Sequence, residues 1–165
     1  MSEQEFNKIT DMLTSHSIEY LVKEHESAVT SLESSTIRGS AIEEGVKCLL
    51  VKFNRANNPE KEFFVIIEVR SDLKIDWKKA GEKLLAKKIG LSTPQEVLEQ
   101  TGCVIGAVAP FGHKNQLAIV ADPKIFLNEY VEFNAGLTTK SIRMKSIDLK
   151  KILEETGTAF FDVSK

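Results

Sequence analysis

Two apolar runs, Val46–Asn54 (VKCLLVKFN) and Glu62–Arg70 (EFFVIIEVR), stand either side of the short polar stretch RANNPEK. Both are rich in Val, Ile, Leu and Phe, and Asn-Asn-Pro is turn chemistry, so the pair predicts an antiparallel β-hairpin. A hairpin this long and this apolar has to be covered, which commits the chain to a larger sheet with helices or strands packed on it. The other elements follow from periodicity and capping. Phe6, Ile9, Met12 and Leu13 recur at helical spacing between Glu3 and Thr14. Ile18–Val22 reads as a short strand, and the Ser- and Thr-rich region Glu24–Gly45 holds one short helix near Ser34–Arg38. Asp76 can cap a helix over WKKAGEKLLAKK, with Trp77, Ala80, Leu84 and Leu85 on one stripe. Thr93 and Glu96 stand at capping-box spacing around Pro94, and Gly102 suits the stop of that helix. Leu117–Ala121, Tyr130–Phe133 and Lys140–Met144 read as strands, with a short helix near Pro123–Leu127 among them. Ser146 can cap a last helix that ends at Gly157. Turn-joined strands with grouped helices predict a mixed α+β fold and disfavour a doubly wound parallel sheet.

Composition narrows the function classes. With 165 residues, 42% of them hydrophobic, and no repeat or linker, a single domain spanning 1–165 is expected. A formal net charge of −2 argues against indiscriminate coating of nucleic acid, and DNA is not an expected partner. Lys79, Lys83 and Lys87 recur every four residues, and Lys140, Arg143, Lys145, Lys150 and Lys151 form a second basic cluster. Such runs are either solvated faces or a landing strip for a phosphate backbone. Cys48 and Cys103 lie far apart in apolar runs and read as buried free thiols of a reducing compartment. The cysteines and His16, His25 and His113 have no metal-site spacing, so no metal or other cofactor is expected. The start MSEQEFNKIT lacks a signal-peptide core and no apolar run could span a bilayer. A soluble, cytoplasmic protein without a membrane partner is the expectation.

Three features do not fit a plain core. Lys47 shares a strand face with Leu49, Val51 and Phe53. It either sits at the strand start and snorkels to water, or is aimed into a cleft as a point charge for a phosphate or carboxylate. The stretch GCVIGAVAPFG (102–112) is apolar yet broken by three glycines and a proline. It is either a bent core strand or the wall of a site, in which Gly106 bares amide hydrogens and Pro110 fixes the exit. Asn134-Ala135-Gly136 is either a turn after the Tyr130–Phe133 strand or a polar side chain and bare backbone at a pocket rim. There is no Ser-His-Asp elbow, Walker loop or His-Glu-x-x-His helix.

Taken in order along the chain, these pieces resemble the YbaK family, editing domains related to the insertion domain of bacterial prolyl-tRNA synthetase. The resemblance runs from about Ile18 to Gly157 and is carried by Glu24-His25 with Thr30, Arg38-Gly39, and Gly45-Val46-Lys47-Cys48-Leu49-Leu50-Val51. It continues through Thr101-Gly102, Gly106-Ala107-Val108-Ala109-Pro110-Phe111-Gly112, Asp122, Asn134-Ala135-Gly136, Ser141-Ile142 and Asp148-Leu149. It implies a mixed, largely antiparallel barrel-like sheet flanked by helices. It also implies a deacylase that hydrolyses the ester joining a wrong amino acid to the 3′-terminal adenosine of a tRNA. Lys47 would engage the 3′ end and Gly106 would hold the aminoacyl group by its backbone. His25, Thr30, Ala107, Ala109, Pro110, Phe111, Asn134, Ala135 and Gly136 would line the substrate site.

Members of that family are thought to rely on water or a substrate group rather than a protein base, in line with the missing nucleophile. The implied partners are the aminoacyl-tRNA acceptor end and a synthetase, and alanine or cysteine on tRNA(Pro) is the leading substrate expectation. Two positions depart from the pattern, Lys23 where some members carry Tyr and Ser27 where Pro is common, and both are expected near the pocket mouth. The alternative is a non-catalytic module that binds a nucleotide, a tRNA 3′ end or a synthetase.

Overall fold

The predicted hairpin forms the spine of the molecule. The computed structural model describes residues 2–165, so of the expected 1–165 span only Met1 lies outside the described residues. Strand β2 (Val46–Arg55) pairs antiparallel with β3 (Asn58–Arg70), from Val46 opposite Arg70 to Phe53 opposite Phe63. Both strands run further toward the turn than their apolar residues do, leaving only Ala56 and Asn57 between them.

The two runs lack strict alternation because both faces of the hairpin are covered. Val46, Cys48, Leu50 and Ile66 point into one core with Phe111, Phe133, Ile142 and Leu149. Val51, Phe53, Val65, Ile67 and Val69 point into another with Ile75, Ala80 and Val163. Around this spine the chain supplies α1 (Ser2–Ser15), β1 (Tyr20–Glu24), α2 (Ser31–Arg38), α3 (Trp77–Leu84), β4 (Lys88–Leu91) and α4 (Pro94–Thr101). Then follow β5 (Ala118–Ala121), β6 (Tyr130–Leu137), β7 (Lys140–Lys145), α5 (Ser146–Glu155) and β8 (Ala159–Phe160).

The fold is mixed α+β, but its sheet does not close into a barrel. Five strands in the order β4-β2-β3-β5-β8 form one sheet and three in the order β1-β7-β6 form another. The small sheet is wholly antiparallel. The large one adds two parallel pairs, β3 with β5 and β5 with β8. Outside the named strands, a single bridge between Gly45 and Glu132 joins the two sheets among the described residues.

Local signals explain most boundaries. The Thr93/Glu96 capping box, Pro94 at the first turn and left-handed Gly102 bound α4 as expected. The α3 helix is shorter than its sequence pattern, because Leu85 turns left-handed and Ala86 bonds back to Gly81. Leu85 is therefore exposed rather than part of the apolar stripe, Lys87 lies beyond the helix, and Lys88–Leu91 becomes an edge strand on β2. Ser146 opens α5 as its first residue, with Lys145 in the capping position. Among the described residues no helix is long and apolar enough to cross a membrane. Both cysteines are buried free thiols.

One core residue breaks the usual rule for polar groups. Glu68 on β3 is completely buried opposite Cys48, and neither carboxyl oxygen has a hydrogen-bond partner among the described residues. Desolvation holds its pKa well above the ordinary carboxylate range, so the native state keeps a proton that the unfolded chain releases. The native state binds more protons, so stability falls as pH rises above the unfolded glutamate pKa and toward the folded one. Glu68→Met is expected to raise stability by about 1–3 kcal/mol near neutral pH. It should also flatten that decline. Thermal unfolding of both proteins at a series of pH values between about 5 and 8 checks it, and a slope unchanged by the substitution would exclude Glu68 as its source.

Candidate functional site

The start of β2, the helix α2, the turn at Gly106 and strand β6 meet around a cavity of about 200 Å³. Its wall includes Lys47, Cys48, Arg38, Thr30, Gly106 and Asn134. These groups are scattered along the chain from Thr30 to Asn134, and the packing of β2, α2, β6 and the 102–112 segment gathers them.

The 102–112 segment is neither a strand nor a bent strand. It forms irregular loop with a turn in which the Ala107 N–H donates to the Val104 carbonyl at 3.0 Å. Gly106, at φ +86°, occupies the third position of that turn, and this is the geometry of a type II turn, which favours glycine there. A Cβ on Gly106 would also meet Val29 Cγ1 at 2.8 Å, so the position demands glycine twice over. The Gly106 N–H has no acceptor among the described residues.

Its carbonyl is pinned by Asn134. The Asn134 Nδ2 donates to the Gly106 carbonyl at 2.7 Å and to the Ala28 carbonyl at 2.9 Å. Its Oδ1 accepts from Arg38 Nη2 at 2.9 Å and from Ser141 Oγ at 3.1 Å. Both N–H groups and both lone pairs of this amide are thus engaged, one of them in holding the turn. Asn134-Ala135-Gly136 is thus no turn but part of β6, which bulges between Asn134 and Leu137.

Arg38 is the principal residue that the sequence reading left out of its site. It ends α2, just before left-handed Gly39, with a nearly buried side chain that also donates from Nε to Ser141 Oγ at 2.8 Å. Beneath it, fully buried Glu132 takes Lys23 at 2.7 Å and Arg143 at 2.9 Å, with Arg38 at 3.8 Å. Burial works to raise the Glu132 pKa, but the hydrogen bonds from Lys23 and Arg143 outweigh it and hold the carboxylate below its ordinary range. Nothing local in the sequence marks Arg38, since its partners lie far along the chain.

Lys47 stands apart from these pairings. It is half-buried, and among the described residues its side chain has no hydrogen bond or ion pair. Burial and the nearby Lys74 lower its pKa, with Asp72 opposing them. Asp72 itself is engaged by Arg70 through two hydrogen bonds at 2.6 and 2.9 Å. A partly desolvated cation without a partner is poised for an incoming anion. Thr30, Ser31, Ser34 and Arg38 all line the cavity, so α2 lies along its side. Among the described residues, no Asp, Glu or His lines the cavity, and the charged residues that do, Lys47 and Arg38, are both cationic.

The remaining expected site residues lie elsewhere. Ala107, Ala109 and Phe111 are buried in the core, where Phe111 meets Phe133 edge-on at 6.1 Å, and Pro110 and Ala135 are buried as well. These side chains support the wall from behind and do not line the cavity, because a loop that must cover a core turns its apolar groups inward. Gly136, at φ +84°, passes so close to α1 that a Cβ would reach the Phe6 nitrogen at 3.0 Å, and its N–H donates to the Ala107 carbonyl. His25 lies one layer out, with Nε2 2.6 Å from Ser141 Oγ. Neither Lys23 nor Ser27 reaches the mouth: Lys23 is drawn to Glu132 and Ser27 bonds Thr138. Of the basic runs, Lys79 pairs with Asp162 and Lys140 with Glu3.

Comparison with known proteins gives this arrangement a family. Residues 25–152 match the family described as an aminoacyl-tRNA editing domain. Over 148 residues the chain is 30% identical to the multifunctional Ser/Thr-tRNA deacylase ProXp-y of Escherichia coli strain K12, covering 89% of this chain and 87% of that protein. Over 96 residues, 58% of this chain but only 15% of its counterpart, it is 32% identical to the proline–tRNA ligase of Treponema denticola. The solved structure of a candidate trans-editing enzyme for prolyl-tRNA synthetase aligns with a TM-score of 0.76, covering 98% of this chain and 97% of that one. At 22% identity that likeness shows a shared fold.

Proposed function

This chain belongs to the aminoacyl-tRNA editing domain family, whose members are deacylases, and from that premise we propose that it acts in trans on tRNA mischarged with a small amino acid. The observation that carries the reading is the shared cavity of Lys47, an ammonium without a partner, and Gly106, an amide without an acceptor. Lys47 engages the phosphate or ribose of the terminal adenosine. The Gly106 N–H polarises the ester carbonyl, and Asn134 keeps that peptide in place. Water adds to the carbonyl carbon, the ester C–O bond breaks, and the ribose oxygen leaves with a proton. An ester to a ribose hydroxyl is activated enough for positioning and polarisation to drive this step without a side-chain base.

A cavity of about 200 Å³ admits the aminoacyl group and the ribose edge rather than a whole adenosine. The base then rests against the exposed apolar side chains of Val29 and Ile105. A small site suits the task, because a synthetase pocket discriminates one methylene by only about 1–3 kcal/mol. Alanine and cysteine on tRNA(Pro), the expectation from sequence, therefore share the candidate list with serine and threonine, on which the Escherichia coli relative acts.

The absence of a side-chain base from the lining also suits a non-catalytic module that grips the tRNA 3′ end or a synthetase. A panel of mischarged tRNAs incubated with the purified chain separates the two. Release of a small amino acid well above the buffer rate is expected. Binding without hydrolysis of any of them would overturn the deacylase reading in favour of the module.

A further inference from the structure

Trp77, the chain's single tryptophan, opens α3. The sequence pattern places it on that helix's apolar stripe, yet it is 36% exposed and belongs to neither core. An exposed indole is a large apolar surface left to water, and its surroundings decide what could cover it. Here they are cationic. Lys74 and Lys78 stand on either side of it in sequence, both exposed, and among the described residues neither ammonium has a hydrogen bond or ion pair. Asp76, the one acid between them, is taken up in capping α3 through the Lys78 and Lys79 N–H groups.

The packing of α3 sets this group toward the cavity end of the large sheet. The last turn of α3 lies by the end of β2, where Arg55 Nε donates to the Leu84 carbonyl at 3.1 Å. A Cβ on Gly81 would meet Ile89 of β4 at 3.8 Å, so that flank of α3 lies beside the edge strand. One turn back on the same flank is Trp77. Two residues on along β4 is Leu91, opposite Val51 and 57% exposed. Beyond Val51 on the same face of β2 come Leu49 and Lys47, both in the cavity wall. Val51 and Lys47 are about 13 Å of strand apart. Lys74 lies close enough to Lys47 for its charge to help lower the Lys47 pKa.

We propose that Trp77 is a stacking platform for a base of the unpaired tRNA 3′ end, with Lys74 and Lys78 holding the phosphates beside it. The inference rests on the reading above that a tRNA 3′ end enters the cavity, and deepens it by tracing the strand back out. A backbone that continues from the nucleotide at Lys47 meets Lys74 and then Lys78. The molecule's net charge of −2 gives nucleic acid no general attraction, so a local run of free ammonium groups is what such a strand would follow. Stacking on an indole accepts any base, because every base has a π-face. The platform therefore grips the strand without reading it, and leaves selection to the cavity.

Because Trp77 is the one tryptophan, its emission reports the contact directly. The probe is an uncharged stem-loop RNA with a tRNA acceptor stem and an unpaired CCA end, beside the same stem-loop made blunt. The first should quench Trp77 emission on binding and the second should not. Trp77→Ala should weaken binding of the first RNA at least about fivefold, read by the anisotropy of a label on the RNA, and Trp77→Phe should restore most of it. Replacing Lys74 and Lys78 together by alanine should reduce the slope of log affinity against log salt by roughly 1.4. On a mischarged tRNA, Trp77→Ala should raise KM by a similar factor with little change in kcat. Emission unmoved by saturating RNA, equal quenching by both RNAs, or wild-type binding by Trp77→Ala would overturn the platform and leave the deacylase reading standing. Overhang-dependent quenching by a wild type that hydrolyses no mischarged tRNA would overturn the deacylase reading and leave the platform standing.

Discussion

Lys47→Ala should abolish deacylation and leave the fold intact. Removing one preorganised charge or donor from a water-poor site lowers kcat by roughly 10²–10³-fold. Lys47 makes no hydrogen bond or ion pair that its loss would break among the described residues, and it is already partly desolvated. Unfolding free energy should therefore change by less than about 1 kcal/mol. Deacylation rates on the best substrate, read beside thermal unfolding, check both halves. Full activity in the variant would remove Lys47 from the mechanism. Lys47→Arg is an informative companion. The guanidinium keeps the charge but spreads it over a fork too broad for a point-charge role, so partial activity at most is expected.

Gly106→Val is the second large effect, and here stability and activity fall together. The backbone at φ +86° costs an L-residue about 1–2 kcal/mol, and a β-branched side chain suffers most there. The new Cβ would press on Val29, itself part of the cavity wall, and the turn would shift off the Asn134 amide that orients it. A melting temperature lower by roughly 2–8 °C is expected, with hydrolysis reduced to the background rate. Gly157→Ala separates strain from crowding. Gly157 is also left-handed, at φ +76°, but a Cβ there meets nothing within 4 Å. It should show the strain penalty with turnover retained. Unchanged hydrolysis in Gly106→Val would reduce the turn to a bend in the chain.

What could be read from the residues was what is decided locally. The caps of α4 lie within a few positions of one another, and the β2–β3 hairpin is written in two apolar runs and a turn. Lys47, Gly106 and Asn134 stand out one by one and Thr30 through the family resemblance, and all four line one cavity. What stayed hidden is decided at long range. Lys88–Leu91 carries no strand pattern and becomes one because β2 offers it an edge. Asn134 looks like a turn residue until the Ala28 and Gly106 carbonyls that occupy its amide are known. Arg38 looks like the end of a helix. The alanines and Phe111 of the 102–112 segment are buried, which their sequence does not disclose, because an apolar loop and an apolar wall have the same composition and only packing tells which way each side chain turns.

The helix α1 supplies no residue to the cavity, yet it packs against elements that do or that adjoin it. It lies hard against the Gly136 backbone, and Lys8 holds the His113 carbonyl at 2.6 Å, just past the end of the 102–112 segment. The stretch that matches the family begins at residue 25, well after this helix. The support behind the Gly136 backbone and the end of the 102–112 segment therefore comes from a part of the chain that the motifs do not reach.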